Sequence, residues 1–374
     1  MTASSKGGLE GIVAAKTRLS DVRGQEGHLV YCGYDINELA GAATFEEVTY
    51  LLHHGALPNK SQLEGLRRQL SQFRSLPGPM IDWIRSVPDD TPPMHVLRSG
   101  ISNLGLFDPD RDDISPAAAQ RTALRLIAAI PVITAFFHRK RLGKNLVDPD
   151  PSLGEAANFL YMIDGEQHSQ EKVDTMDVCY VLHADHGMNA STFSARVTIA
   201  TLSDLYSAIT TAIGTLKGPL HGGANEGVIK MLQEIGDLAS VDAYVEDALA
   251  QKKKIMGIGH RVYKTLDPRA PHLKKMAHTL SEQLGEKKWI QMSERIAELM
   301  SERKNLHANV DFYSATAYYS LGIPTDLFTP IFAIARTSGW TAHVLEQLED
   351  NRLIRPMSEY EGRDDLKLIP LDQR

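Results

Sequence analysis

The sequence predicts an all-α fold with a short extended segment near the N-terminus, and three observations carry that prediction. Beyond the first forty residues, apolar side chains recur at helical spacing through most of the chain. Thr44-Phe45-Glu46-Glu47, Ser61-Gln62-Leu63-Glu64 and Ser152-Leu153-Gly154-Glu155 match the capping box, in which a hydroxyl and a carboxylate satisfy orphan helix N–H groups reciprocally. Pro58, the loops at 88–93 and 108–116, and Asp148-Pro149-Asp150-Pro151 punctuate the helices without leaving room for a disordered linker.

The 374 residues are 43% hydrophobic and 23% charged, enough for a large core divided between two lobes. A net charge of -7 argues against nucleic acid or a membrane surface as a general partner, while local basic clusters remain able to hold a phosphorylated ligand. Cys32 and Cys179 are too few for a disulfide framework, and a reducing cytoplasm is expected. The first residues lack the apolar core of a signal peptide, and the apolar run from Ala123 to Phe137, broken by Arg125 and Pro131, is expected to be too short and interrupted to span a bilayer.

In chain order, Gly11–Ala15 and His28–Tyr31 read as short extended pieces, with a turn over Arg23–Gly27. Helices are expected over Val173–Leu182, Ser191–Thr201, Asp204–Leu216, Ala224–Gly236, Val241–Lys252, Pro271–Leu284 and Lys287–Ser301. Asn309 opens a further helix that Gly322 and Pro324 close, and Thr329-Pro330 starts the last long one. No fixed-period repeat is present.

The loops hold the chemistry. Gly218-Pro219-Leu220-His221-Gly222-Gly223 places a histidine in a glycine turn before a helix, where free N–H groups and the dipole favour the neutral ring. A second glycine-flanked histidine is His260, in the stretch from Lys252 to Tyr263, and a third is His186, before Gly187. Proton removal from carbon needs a base opposite a donor that holds the resulting enolate, a pairing assigned to Asp311 and His221. Arg269, Arg336 and Arg355 offer planar forks suited to a dicarboxylate.

Each assignment has a plainer competitor. A histidine in a turn can simply hold a backbone carbonyl, and Asp311 sits where an aspartate would cap a helix. Arg336 lies inside the apolar run Pro330-Ile331-Phe332-Ala333-Ile334-Ala335, where a charge requires an anionic partner, either a ligand or a structural carboxylate. His183 and His186 around Asp185 have the spacing of metal ligands but lack a supporting motif, so no metal is expected. Gly257-Ile258-Gly259 is a fragment of a dinucleotide fingerprint without its strand, and Lys252, Lys253 and Lys254 can serve a helix end or a phosphate.

Taken together, Gly218–Asn225, Gly257–Tyr263 with Asp267-Pro268-Arg269, and Asn309-Val310-Asp311-Phe312-Tyr313-Ser314 resemble the citrate synthase family in content, order and spacing. The resemblance runs from Gly8-Leu9-Glu10-Gly11-Ile12-Val13 to Asn351-Arg352-Leu353-Ile354-Arg355-Pro356, at the length of the short bacterial and archaeal dimeric type. It implies condensation of acetyl-CoA with oxaloacetate and hydrolysis of citryl-CoA, without a metal. It also implies a large helical domain of residues 1–222 plus 323–374 and a mobile, CoA-binding small domain of residues 223–322. By position, Asp311 resembles the base, His221 the group that holds the thioester oxygen, and His260 the group that polarises the oxaloacetate carbonyl. His186, Asn189, Arg269 and Arg336 correspond to oxaloacetate contacts, together with Arg355 supplied from the neighbouring subunit of a homodimer. Lys252, Lys253, Lys254, Ile255, Met256, Gly257, Ile258, Gly259 and Asn309 correspond to the CoA site. His307-Ala308 before Asn309, and Ala315 after Ser314, depart from the family pattern and bear on local loop shape. The alternatives are a 2-methylcitrate synthase using propionyl-CoA, with room for one more methylene, and a catalytically silent helical dimer that binds CoA or a carboxylate.

Overall fold

The computed structural model describes residues 7–9 and 11–374; residues 1–6, and Glu10 of the motif at 8–13, lie outside the described residues. The extended segment is a three-stranded antiparallel sheet of β1 (Ser20–Arg23), β2 (His28–Tyr31) and β3 (Tyr34–Asp35) in chain order. Ser20 pairs with Tyr31 and Arg23 with His28, across the expected turn. Leu29 and Tyr31 alternate with their neighbours and turn a fully buried face to the core. Gly11–Ala15 is not a strand; Ile12 and Val13 are 56% and 85% exposed, and a run with no face to bury gains nothing from pairing. The partner of β2 is Ser20–Arg23 instead.

The described residues contain sixteen α-helices. Ten precede the His221 turn: α1 (Ile36–Leu39), α2 (Phe45–His54), α3 (Lys60–Phe73), α4 (Gly78–Ser86), α5 (Pro93–Leu104), α6 (Pro116–Arg141), α7 (Glu155–Asp164), α8 (Gln170–His183), α9 (Ala190–Ile199) and α10 (Leu205–Leu216). After it come α11 (Ala224–Ile235), α12 (Val241–Ala250), α13 (Ala270–Leu284), α14 (Lys288–Lys304), α15 (Val310–Ser320) and α16 (Phe328–Glu349).

One capping box forms where expected, Thr44 with Glu47 on α2. The box of α3 lies two residues earlier than predicted: Asn59 and Gln62 exchange the bonds, and Ser61 is inside the helix. At α7 there is no box, because Ser152 folds back on Asp150 and Glu155 is drawn into a buried pair with Arg74 at 2.8 Å. A buried arginine competes for that carboxylate more strongly than a helix end does.

Pro131 does not interrupt the apolar run. Helix α6 continues through it for 26 residues and is long and apolar enough to cross a membrane by length and composition, yet 89% of its apolar 18-residue window is buried inside the protein. Arg125 is accommodated by Asp108 and Asp110 at 2.6 and 2.8 Å.

Helix α16 is the axis of the packing, touching α2, α5, α6, α8, α9, α10 and α11. It comes close to the loop after α8 at Gly339, whose N–H donates to Ala184 O at 3.0 Å; a Cβ there would lie 2.3 Å from that oxygen. Helices α11 to α15 pack chiefly on one another and meet the remainder through α8 and α16. The segments that carry the expected site residues are the loop after α8, the His221 turn, the loop between α12 and α13, the start of α15 and the middle of α16.

Candidate active site

Two of these segments are clipped together. Ile258 bridges Ala308 in antiparallel fashion; Gly259 N donates to His307 O at 2.7 Å, and Asn309 N to Gly257 O at 2.9 Å. Asn309 Nδ2 adds a bond to Gly259 O at 2.8 Å. Gly257 and Gly259 have φ of 73° and 81°, and a Cβ on Gly257 would lie 2.6 Å from Val228 and 2.8 Å from the Phe312 ring, so this backbone passes where only glycine fits.

The clip settles the competing role of Asp311. The cap of α15 is Asn309, whose side chain accepts from Asp311 N at 3.0 Å, so the Asp311 carboxylate is free of that duty. Its Oδ1 is buried without a hydrogen-bond partner, and burial pushes its pKa up to about 6. That is the environment of a base rather than of a cap.

His260 leaves the clip with Nδ1 accepting from Val262 N at 3.0 Å and Tyr263 N at 3.1 Å. Both partners are donors, so the ring hydrogen is on Nε2. Burial, then the charge of Arg269, hold its pKa down to about 4. His186 stands edge-on to it with ring centroids 5.4 Å apart, and its Nε2 is 3.1 Å from Tyr263 Oη. Burial, with Arg269 and His260 nearby, lowers its pKa well below the usual histidine value.

The His221 ring is held neutral by its surroundings as well. Burial comes first and the positive charge of Arg336 second, bringing its pKa to about 4. Its Nε2 is 2.8 Å from Ser191 Oγ, which also accepts from Trp340 Nε1 at 3.0 Å and contacts Asn189 Oδ1 at 2.8 Å. Ser191 therefore has one hydrogen for two acceptors, and its rotor selects which His221 nitrogen carries the proton. Gly222 makes the turn possible, since a Cβ there would lie 2.5 Å from Leu216 O.

The three arginines differ. Arg336 is 1% exposed, donates through Nε to His183 O at 2.6 Å and lies over the Phe332 ring, but no carboxylate among the described residues forms a salt bridge with it. Burial lowers its pKa to about 10, and its field reaches His221, His186 and Asp311. Arg269 is also buried but already bidentate to Asp267, at 2.9 and 2.8 Å, which in turn accepts from Val310 N. Arg355 is exposed in the chain after α16.

Asn189 caps α9 and spends its amide on Thr192, Ser191 and Gly187. His183 turns inward, with Nδ1 2.7 Å from Cys179 O. Of the basic run, Lys252 is exposed at φ 57°, Lys253 lies 3.6 Å from Glu234 and above the Tyr244 ring, and Lys254 is exposed; Ile255 is buried and Met256 packs over Gly227.

Ser191, Tyr263, Asp267 and Asp185 sit among these groups and were not singled out as site residues from the sequence. Tyr263, Asp267 and Asp185 fall inside the glycine and histidine motifs but carry no signal of their own there, and Ser191 shows only as the hydroxyl two residues beyond Asn189. The parts played by Tyr263, Asp185 and Asp267 depend on contacts across 77 to 158 residues of chain or on a local ion pair.

Comparison with known proteins gives this arrangement a family. Residues 8–357 match the family model described as "Citrate synthase, C-terminal domain", and the chain belongs to the citrate synthase family. It is 51% identical to "Citrate synthase 2" of Bacillus subtilis, with 98% of each chain covered, and 41% identical to "2-methylcitrate synthase 1" of Corynebacterium glutamicum, also with 98% of each covered. The solved citrate synthase of Pyrobaculum aerophilum superposes with a TM-score of 0.92 at 40% identity, covering 98% of this chain and 95% of that one. Citrate synthase of Thermoplasma acidophilum, solved as a ternary complex with carboxymethyl coenzyme A and oxaloacetate, superposes at 0.91 with 32% identity and 98% of each chain covered.

Proposed function

We propose that the protein condenses acetyl-CoA with oxaloacetate and hydrolyses the citryl-CoA so formed, releasing citrate and CoA. The observation that carries this is Arg336, a buried guanidinium with no carboxylate partner beside neutral histidines and a carboxyl raised to about 6. A site of that composition holds a carboxylate substrate and moves a proton near neutral pH.

Asp311 takes a proton from the acetyl methyl group while His221 donates to the thioester oxygen, which then bears the enol. This requires the His221 hydrogen on the nitrogen away from Ser191, with Ser191 Oγ–H turned onto Nε2. His260 donates through Nε2–H to the oxaloacetate carbonyl, making that carbon electrophilic; the enol carbon attacks, the C–C bond forms as the carbonyl π bond opens, the alkoxide takes the His260 Nε2 proton, and the thioester oxygen returns its proton to His221 as its C=O re-forms. Water then cleaves the thioester. Arg336, Arg269, His186 and Asn189 position the dicarboxylate, and Arg355 comes from the neighbouring subunit of a homodimer. Lys252–Lys254, Ile255–Gly259 and Asn309 form the CoA side. Residues 223–322 move as a small domain against 1–222 plus 323–374 to close over the substrates, and the enzyme works in the cytoplasm.

The deciding assay is release of free CoA from acetyl-CoA and from propionyl-CoA, each with oxaloacetate. Higher kcat/KM with acetyl-CoA is expected. A preference for propionyl-CoA overturns the choice of acyl group, and no turnover with either overturns the reaction. For the dimer, sedimentation should give twice the chain mass, and mixing inactive Arg355→Ala with inactive Asp311→Asn chains should restore about a quarter of wild-type activity at equal mixing if the arginine acts across subunits.

A further inference from the structure

Asp185 lies between two histidines of the site loop yet faces away from the site. Its side chain is fully buried and accepts from Ser20 Oγ, from Gly187 N at 3.2 Å and from His343 Nε2 at 3.3 Å. Its backbone is held from the sheet side by Tyr31, whose hydroxyl donates to Asp185 O at 2.7 Å and accepts from Asp185 N at 3.1 Å. From the helix side, Arg336 and Gly339 hold His183 O and Ala184 O, and a Cβ on Gly339 would lie 2.6 Å from Asp185 Oδ1. The loop that presents His186 is thus gripped between β1, β2 and α16.

Behind Asp185 the contacts continue. His343 Nδ1 faces Arg196 Nη1 at 3.1 Å; the guanidinium can only donate, so the His343 hydrogen is on Nε2, toward Asp185. Arg196, itself buried, pairs with Glu346 at 2.7 Å and bonds Gln347 at 3.0 Å, and Gln347 reaches Asn351 at 3.1 Å. Burial opposes the charge of Asp185, but His343, Arg336 and Ser20 outweigh it and keep the carboxyl ionised. Asp185 is also the foremost favourable charge acting on Arg336, although the two form no salt bridge.

We infer that Asp185 and His343 are positioning residues for the oxaloacetate half of the site, fixing the His186 loop and the orientation of Arg336 from behind. The inference rests on the proposed condensation only in naming oxaloacetate as the ligand. A pair that merely filled the core would set thermal stability and leave ligand affinities alone.

The test measures oxaloacetate binding by calorimetry, KM for both substrates and Tm on Asp185→Asn, His343→Leu, His343→Gln and Ser20→Ala. Asp185→Asn and His343→Leu should weaken oxaloacetate binding about tenfold or more with acetyl-CoA KM unchanged, since small misplacements at a positioned site cost this much. His343→Gln, which retains a donor near Nε2, should stay close to wild type, and the milder Ser20→Ala should show the same effect at a few-fold. Where the buried variants fail to fold, Ser20→Ala decides alone. Folded variants whose oxaloacetate affinity stays within twofold of wild type, or that lose both substrates in proportion, overturn the inference. Wild type that binds oxaloacetate but releases no CoA sinks the proposed reaction, and the affinity comparison still judges the positioning pair; wild type that binds no oxaloacetate overturns both.

Discussion

At the scale of the residue, the decisive fact is that Asp311 is not the cap of its own helix. Because Asn309 takes that role, the carboxylate is buried with an unsatisfied oxygen and a pKa of about 6. As the proposed base it works only when ionised, so kcat/KM for acetyl-CoA should fall about tenfold per unit below pH 6 and level off above about pH 7, as a pH-rate profile will show. Asp311→Asn should abolish most turnover while leaving oxaloacetate binding intact, and unchanged turnover would remove Asp311 from the mechanism. The same variant should be more stable than wild type at pH 7. A carboxyl with a raised folded pKa stabilises the fold below its unfolded value near 4 and loses that contribution as pH rises through 6, so the Tm advantage of asparagine should shrink towards pH 4. Ser191→Ala removes the rotor beside His221 and should lower kcat by about 10 to 100-fold, and because it also leaves the buried Trp340 N–H without its acceptor it should lower stability by about 1 to 3 kcal/mol, read by CoA release and denaturant titration.

At the scale of the element, what the sequence made legible followed from local chemistry. Helices with strong apolar periodicity and clear ends, such as α10 after Asp204 and α11 before Gly236, lie where expected to within a residue or two. Errors arose where a distant partner outbid a local signal: Arg74 removed Glu155 from its capping box, and the buried surroundings of α6 carried a helix through Pro131. The site was legible as motifs because glycine and histidine mark their own turns. The apolar neighbours of Arg336 called for an anionic partner, a ligand or a structural carboxylate, and only the contacts show that no structural carboxylate pairs with it; the Asp267 pairing of Arg269 and the capping work of Asn189 likewise appeared only with the contacts in place. The clip between 257–259 and 307–309 gives the sharpest element-scale prediction. Gly257→Ala combines a left-handed φ with a clash against Val228 and Phe312, so it should destabilise the protein by about 2 to 4 kcal/mol and lower kcat even where it folds, measured by denaturant titration beside the CoA-release assay.

For the whole molecule, the histidines dominate the response to acid. Burial holds His53 and His183 to about 3 and His138, His221 and His260 to about 4, and it lowers His186 as well. Unfolding lets all of them protonate near pH 6.5, so their stabilising contribution is present above that value and lost as pH falls towards 4. Asp177, Glu155 and Asp311, raised by burial to about 8, 6 and 6, act in the opposite sense but are fewer. Unfolding between pH 4.5 and 6 should therefore take up a net of about three protons, and Tm should drop steadily over this interval in a calorimetric series; a flat Tm from pH 6.5 to 4.5 contradicts the balance.

The clip between Gly259 and Asn309 has a further consequence. His260 and Asp311, the groups proposed to act on the two different substrates, ride on one hydrogen-bonded staple, while His221 stands on another segment. Any displacement of the staple carries the base and the carbonyl donor together, preserving their mutual spacing and changing only their distance to His221. In the proposed reaction the gap between His221 and the staple is then the one distance that both steps share, and a molecule lodged in that gap would silence both at once.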